Sequence, residues 1–169
     1  MRVDDLPATP GTYVLVVECP EPVRLRAGAL GETALEAGRF AYVGSAFGPG
    51  GVRARLGRHL RGSGRPKWHV DHLRAACLVC GAWWACGNRP REHLWAALLA
   101  AWEHAEPGPR GFGASDCACP THLFRLLPGA SLEAFSHLAS ERLPGDPAVQ
   151  GWMDGGVPAP GRPRGRDRA

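Results

Sequence analysis

The chain has 169 residues, of which 44% are hydrophobic, so it is long enough for one domain with its own core and too short for two. Lys and Arg number 20 against 16 Asp and Glu, which gives a net charge of +4, and four arginines lie in the last eight residues: Arg162, Arg164, Arg166 and Arg168. The rest of the chain is therefore close to neutral. Affinity for nucleic acid would have to come from local clusters of arginine, because the overall charge is too small to supply it.

No apolar run approaches the roughly 20 residues of a transmembrane helix, and the N-terminus lacks a charged segment followed by an apolar block. We therefore expect a cytoplasmic protein with no membrane partner. In that compartment the six cysteines should be reduced thiols or metal ligands rather than a disulfide framework. Cys77 and Cys80, a C-x-x-C pair, are interpreted as core residues, and Cys19 and Cys86 receive no special role.

The N-terminal part of the chain predicts two core strands with a hairpin between them. Residues 12–17 are rich in β-branched side chains and lie near Gly and Pro, which is typical of a short strand. Residues 23–26 and 33–36, on either side of a glycine-containing turn, predict an added hairpin. The next core strand contains Tyr42. If this strand pairs with the first one, the phenols of Tyr13 and Tyr42 can lie close together, because directly opposite residues are about 5 Å apart at Cβ.

A helix is predicted at residues 52–61, after a glycine-rich loop. Apolar side chains recur there every four positions and form a buried stripe. At 100° per residue, Arg55 and His59 share one flank of this stripe, where a half-buried polar site is expected. The alternative interpretation is a solvated arginine face, because Arg53 and Arg58 lie on the same helix.

Residues 68–73 predict a short second helix that contains His69, Asp71 and His72. These three are metal-ligand types, but they include no pair at the i, i+4 spacing of two ligands on one helix face. Packing and hydrogen bonding are therefore the favoured roles for them. Residues 78–85 are the third predicted strand.

A long helix is predicted at residues 88–104, with Asn88 as its cap and Pro90 in its first turn. Glu92 lies in the same turn, where a carboxylate interacts with the positive end of the helix dipole for about a few tenths of a kcal/mol. Residues 121–126 are strand-like.

The C-terminal region divides into two parts. Residues 128–143 are expected to contain a helix that packs on the domain formed by residues 1–127. From residue 144 onward Gly, Pro and Arg dominate, so residues 144–169 are predicted to be a disordered tail. The fold class that follows is α/β (α+β), with a small antiparallel three-stranded central sheet, an added hairpin and flanking helices.

Two short motifs give a family resemblance. Gly11-Thr12-Tyr13 and Tyr42-Val43-Gly44, followed by the arginine helix, resemble the paired motif of the GIY-YIG nuclease superfamily, with Ile replaced by Thr and by Val. Residues 115–123, Ser-Asp-Cys-x-Cys-x-x-His-Leu, resemble the tail of a branch of that superfamily known mainly as a domain of unknown function. The resemblance covers about residues 10–127, which would make the main domain GIY-YIG-like.

The resemblance implies a metal-dependent endonuclease that hydrolyses phosphodiester bonds in DNA or a DNA-like substrate. Tyr13 and Tyr42 would take a proton from water or orient it, and His59 is a candidate second proton carrier. Arg55 would hold the scissile phosphate through paired hydrogen bonds. Glu92 would ligate one Mg²⁺ or Mn²⁺, since a lone carboxylate with several waters is a normal site for magnesium.

Further substrate contacts are predicted for Gly44, Ser45, Arg53 and Arg58. Ser45 stands where many relatives carry a basic residue, so one phosphate contact of the superfamily is expected to be missing. The alternative function is a non-catalytic nucleic-acid-binding module on the same scaffold.

The Cys-x-Cys-x-x-His segment offers Cys117, Cys119 and His122, with Asp116 beside them, as soft-metal ligands at short spacing. A structural Zn²⁺ site needs four ligands. The fourth would have to come from Cys77, Cys80, Cys86 or His69. The competing interpretation, which is favoured, is a turn that packs on the sheet with buried thiols. A metal-stabilised interaction domain is accordingly the third functional hypothesis.

Overall fold

The computed structural model of the chain describes residues 3–26, 30–62 and 68–155. The strands in these ranges are β1 (Gly11–Cys19), β2 (Val23–Arg26), β3 (Glu32–Leu35), β4 (Gly38–Ser45), β5 (Leu78–Cys86), β6 (Ala105–Pro107), β7 (Leu123–Leu126) and β8 (Gln150–Met153). The helices are α1 (Gly51–Arg61), α2 (His69–Ala76), α3 (Glu92–Ala101) and α4 (Leu132–Arg142), and a 3-10 turn lies at Val3–Asp5. None of these helices combines the length and the apolar character needed to cross a membrane.

Six strands form the central sheet, in the order β6-β7-β4-β1-β5-β8, and every neighbouring pair is antiparallel. β2 and β3 form a separate two-stranded hairpin. The α/β (α+β) class and the added hairpin are therefore confirmed, whereas the prediction of a three-stranded sheet is wrong. The three predicted strands are β4, β1 and β5 at its centre. β7 confirms the strand-like segment at residues 121–126, whereas β6 and β8, with three and four residues, are too short for a clear periodic pattern.

Strand β1 is buried on both faces and therefore serves two cores. Tyr13 and Leu15 face the core covered by α1 and α2, whereas Val14 and Val16 face the core covered by α3 and α4. The adjacent tryptophans of β5 divide in the same way, with Trp84 in the first core and Trp83 in the second. This alternation fixes the register, because a slip of one residue would exchange the two sets of side chains.

Helix α1 confirms the helix predicted from the apolar stripe. Val52 and Leu56 are fully buried in the core with Tyr13. Gly51 opens the helix against the N-terminal segment, and an added Cβ there would collide with the backbone of Thr9. Close approach of the chain at this point therefore requires glycine.

Helix α3 begins later than predicted, because Arg91 and not Asn88 precedes its first residue. Arg91 is buried: its backbone N–H donates to Thr12 Oγ1 at 3.1 Å, and its Nε donates to Asp146 Oδ2 at 2.8 Å. These long-range contacts hold the chain in a non-helical conformation up to Arg91. In contrast, α4 begins directly after an ordinary cap residue, Ser131, whose Oγ accepts the Ala134 N–H at 3.1 Å.

The predicted disordered tail begins too early. Asp146 accepts the hydrogen bonds from Arg91, and β8 pairs with β5 from Gly81 to Trp84 at the edge of the sheet. Residues 144–155 are thus part of the fold, because backbone pairing and a buried ion pair compensate for their low apolar content. Residues 156–169 of that prediction lie outside the described residues.

Cys19 and Cys77 form a disulfide bond, so the expectation of reduced cysteines is wrong for this pair. Cys19 ends β1 and Cys77 immediately precedes β5, and these two strands pair with Glu18 opposite Leu78. The side chains of both cysteines are buried where the paired strands bring them together. The remaining cysteines, Cys80, Cys86, Cys117 and Cys119, are free thiols.

Reduction of the Cys19–Cys77 disulfide is expected to lower the free energy of unfolding by about 2–4 kcal/mol, because the bond restricts a long loop in the unfolded chain. Urea unfolding of the wild type with and without a phosphine reductant measures this difference. A Cys19→Ser, Cys77→Ser double variant should not respond to the reductant, while Cys86→Ser should respond like the wild type. Equal urea midpoints for the reduced and oxidised wild type would contradict a stabilising bond.

Candidate active site

A cavity of about 270 Å³ opens at the end of the sheet where β1 begins and β4 ends. Its walls come from these strands, from α1, from the beginnings of α2 and α3, and from the loop between β6 and β7. All the residues predicted to be catalytic line it: Tyr13, Tyr42, Arg55, His59 and Glu92.

The residues predicted to bind substrate are divided. Gly44 and Ser45 line the cavity, whereas Arg53 and Arg58 are not among the described residues of its wall. Arg53 donates from Nε to the carbonyl oxygen of Leu6 at 2.7 Å. The arginines of helix α1 therefore have different neighbours, and of Arg53, Arg55 and Arg58 it is Arg55 that lines the cavity.

The two tyrosines are diagonal neighbours on one face of the sheet. Tyr13 is paired with Gly44, and Tyr42 with Leu15, so the phenols are offset along the strands and not directly opposite as the sequence suggested. An added Cβ at Gly44 would collide with the ring of Tyr13. The glycine of the Tyr-Val-Gly motif thus provides the space that the first tyrosine occupies.

A buried chain of polar groups leads away from Tyr13. The hydroxyl of Tyr13 lies 2.9 Å from Nε2 of His59. Nδ1 of His59 lies 3.4 Å from Oδ1 of Asp71 and has no hydrogen-bond partner among the described residues. Oδ2 of Asp71 accepts the Trp68 backbone N–H and a Nη2–H of Arg58, both at 3.0 Å. Asp71 is therefore fixed at the far end of a Tyr13-His59-Asp71 chain.

Burial sets the protonation states of this chain. Loss of hydration raises the pKa of Tyr13 well above its ordinary value, with the neighbouring Tyr42 adding to the effect and Arg55 opposing it. The pKa of Tyr42 is raised for the same main reason, and Glu92 contributes next. Burial lowers the pKa of His59 to about 4, although Asp71 acts in the opposite direction. At neutral pH both phenols are protonated and His59 is neutral, so the Tyr13 O–H can donate to Nε2.

Arg55 differs from Arg58 in its partners. Both guanidinium groups lie against the indole of Trp68, with Cζ 4.3 Å and 4.2 Å from the ring centroid. Arg58 is held by Asp71, but within the described ranges Arg55 forms no ion pair and its side chain lines the cavity. A cation oriented by an aromatic ring and free of a carboxylate is suited to bind an anion.

Glu92 reaches the cavity from the first turn of α3. Its side chain is 23% exposed, and its Oε1 lies 3.2 Å from Nδ1 of the buried His122. Asp116, on the loop between β6 and β7, lines the same cavity. The wall of the cavity thus carries two carboxylates, Glu92 and Asp116, together with the cation Arg55.

The family model described as "Domain of unknown function DUF123" matches residues 12–143. The chain belongs to this family. The match includes the cavity and all the strands of the central sheet except β8. It confirms the part of the resemblance that concerns a domain of unknown function. Searches of curated proteins and of solved structures find no match to the chain.

Two residues of the DUF123 site were not assigned a role in it from the sequence. Asp71 faces Nδ1 of His59 at 3.4 Å, and the indole ring of Trp68 lies 4.3 Å from Cζ of Arg55. A usable signal for Asp71 was its position at the third residue of a helix, where a carboxylate accepts the N–H of the residue that precedes the helix. The packing and hydrogen-bonding role predicted for this segment is confirmed, because His69 Nδ1 also accepts the Gly113 N–H at 2.8 Å.

The Cys-x-Cys-x-x-His segment of this DUF123 chain has a neighbour that the sequence did not suggest. His93, Cys117, Cys119 and His122 have ligand atoms that all lie within 4.8 Å of one another. The sequence named Cys77, Cys80, Cys86 or His69 as the source of the fourth ligand that a zinc site would need, whereas the residue that lies within reach is His93. Cys77 is in the disulfide, His69 accepts the bond from Gly113, and Cys80 is buried in the core that contains Trp83.

The low pKa of His59 predicts a pH dependence of stability. The unfolded chain protonates this histidine below its ordinary pKa of about 6.5, whereas the folded chain does so only near 4. The unfolded state therefore binds more protons than the folded state in that interval. The stability that the neutral His59 contributes is complete above pH 6.5 and is lost as the pH falls towards 4. The expected slope is up to about 1.4 kcal/mol per pH unit.

Urea unfolding between pH 7 and 4 measures this dependence. We expect the free energy of unfolding of the wild type to fall more steeply than that of His59→Gln. The matched control is His137→Gln, because the side chain of His137 is 75% exposed. Parallel curves for the wild type and His59→Gln would contradict a buried neutral His59.

Proposed function

We propose that the protein is a metal-dependent endonuclease of GIY-YIG type that hydrolyses phosphodiester bonds in DNA. The observation that supports this proposal is the convergence of Tyr13, Tyr42, Arg55, His59 and Glu92 on one cavity. These residues come from two strands and two helices, and none is adjacent in sequence to another. A purely structural role would not require two phenols, a guanidinium and a carboxylate to face a common space.

Phosphodiester hydrolysis requires a positive group on the phosphoryl oxygens and a way to remove a proton from the attacking water. Arg55 supplies the first requirement, because its guanidinium can donate two parallel hydrogen bonds to phosphate oxygens. Its position against Trp68 limits the orientations of the fork. In this role Arg55 binds the scissile phosphate and stabilises the charge that increases in the transition state.

The proton path uses the chain that begins at Tyr13. Water transfers a proton to the phenol oxygen of Tyr13 while the phenol proton passes to Nε2 of His59, 2.9 Å away. Because burial disfavours a free phenolate, a concerted transfer is more favourable than prior ionisation of Tyr13. His59 becomes an imidazolium whose Nδ1–H faces the carboxylate of Asp71. Tyr42 is positioned to orient the water from the neighbouring strand.

The superfamily that the chain resembles uses one Mg²⁺ or Mn²⁺, and Glu92 has the properties of its protein ligand. Its carboxylate is partly exposed and lines the cavity, and hard divalent cations bind one or two carboxylates together with several waters. Asp116 offers a second carboxylate in the same cavity. When bound, the ion would neutralise the charge on the leaving oxygen.

The proposal is tested by incubating the purified chain with a panel of single-stranded, duplex and branched DNA, with Mn²⁺ or Mg²⁺ and with EDTA. We expect cleavage that depends on the divalent cation. Salt-dependent gel shifts without cleavage of any member would replace the nuclease by the nucleic-acid-binding module, since phosphate contacts alone produce such binding. RNA molecules of the same structures are added to the panel, and a comparison of their cleavage with that of DNA identifies the class of substrate.

A further inference from the structure

We propose that His93, Cys117, Cys119 and His122 bind one Zn²⁺ ion. Two imidazoles and two thiols are the donor set of a structural zinc site. The cysteines lie in the loop between β6 and β7, His122 immediately precedes β7, and His93 lies on α3. The ion would therefore join the loop to the helix that carries Glu92.

The distances agree with a tetrahedral site. Bonds of about 2.1 Å to nitrogen and about 2.3 Å to sulfur place the ligand atoms about 3.4–3.8 Å apart. Sγ of Cys117 and Nε2 of His122 are 3.5 Å apart, and the most distant pair in the cluster is within 4.8 Å. Side-chain rotations that shorten the longest separation by about 1 Å complete the geometry.

His122 supplies the second, independent observation. It is 1% exposed, and its backbone is held on both sides, by N–H donation to Phe112 O at 2.8 Å and by acceptance of the Val43 N–H at 2.9 Å. Its Nδ1 faces Glu92 at 3.2 Å, and its Nε2 faces Cys117. A neutral imidazole has one donor and one acceptor. When the proton is on Nδ1, which faces the carboxylate of Glu92, the lone pair of Nε2 points at the cluster. This is the arrangement of a carboxylate-histidine-zinc site.

The zinc site would also shape the cavity. The loop that carries the cysteines contributes Gly113 and Asp116 to the wall, and Gly113 is held by His69. The ion would hold the other end of this loop on α3. Through His122 it would also orient the carboxylate of Glu92, a consequence that rests on the function proposed above.

Metal analysis of protein purified without chelator tests the site, and we expect one zinc per chain. Cys117→Ser and Cys119→Ser should each lose it, while Cys86→Ser, which replaces a free cysteine outside the cluster, should keep it. Since the serine variants can fail to fold, cobalt provides a measurement on the wild type. Co²⁺ added to the zinc-free wild type should give the absorption of a tetrahedral site together with thiolate-to-metal charge transfer.

Three results would overturn the proposal. These are folded wild type that holds no zinc and shows no thiolate-to-cobalt absorption, a Cys117–Cys119 disulfide in the freshly purified protein, and equal loss of zinc from Cys86→Ser. The measurement is independent of the nuclease assay, since it uses no substrate. Glu92→Gln should keep the zinc, because Glu92 is not one of the four proposed ligands. A chain that binds zinc and cleaves nothing would refute the nuclease and leave the zinc site established.

Discussion

Replacement of Glu92 by glutamine is expected to reduce metal-dependent cleavage at least about a thousandfold, which corresponds to roughly 4 kcal/mol of transition-state stabilisation. The amide keeps the shape of the side chain but removes the negative charge that attracts a divalent cation. Cleavage rates at saturating Mn²⁺ measure the effect, and gel shifts measure whether the variant still binds the substrate. We expect binding to be retained, because Arg55 is unchanged.

The matched control is Glu103→Gln, because the Glu103 side chain is 84% exposed and lies just beyond the same helix. A second readout is the titration of Tyr42. Glu92 raises the pKa of this phenol, so loss of the negative charge should lower it. A Glu92→Gln protein that cleaves at the wild-type rate would contradict the assignment, whatever its tyrosine titration.

Replacement of Arg55 by alanine is expected to reduce cleavage about a hundredfold to a thousandfold, the usual effect of removing one group that stabilises transition-state charge. The fold should persist, because the side chain is only partly buried and Arg58 still covers Trp68. Arg55→Lys should recover part of the rate, since lysine keeps the charge but lacks the fork that binds two phosphate oxygens. Single-turnover rates on one substrate compare the variants.

Arg53→Ala is the control for Arg55→Ala, since both residues lie on α1 and Arg53 points to the carbonyl of Leu6. If both variants lost activity equally, the effect would belong to the positive charge of the helix and not to a phosphate site in the cavity. Loss confined to Arg55→Ala would support the functional role of that flank. Equal rates for Arg55→Ala and the wild type would remove Arg55 from the mechanism.

Helix α1 shows how far a local pattern can predict a site. Apolar side chains every four residues identified its buried stripe, and the rotation per residue placed Arg55 and His59 on one flank. Both side chains line the cavity as that geometry requires. The same pattern could not separate Arg55 from Arg58 or Arg53, because the difference between them lies in Trp68, Asp71 and Leu6, which belong to other elements.

The start of α3 shows where local signals fail. Asn88 and Pro90 are ordinary helix-start residues, but the contacts of Arg91 with Thr12 and Asp146 decide the boundary. These partners are 79 and 55 positions away in the sequence. Capping preferences amount to about 1 kcal/mol, so a buried ion pair with several hydrogen bonds outweighs them.

The amino-acid sequence by itself determined the class of the fold, the central strands, the helix with the arginines and the residues that could carry chemistry. These features follow from short-range patterns, in which each residue interacts with neighbours one to four positions away. Only the tertiary structure decided the six-stranded sheet, the Cys19–Cys77 bond, the Tyr13-His59-Asp71 chain and the position of His93 beside the two cysteines. Each of these features depends on strand register and on packing between segments that are distant in sequence. Many weak contacts determine that packing together, so no single sequence motif predicts it.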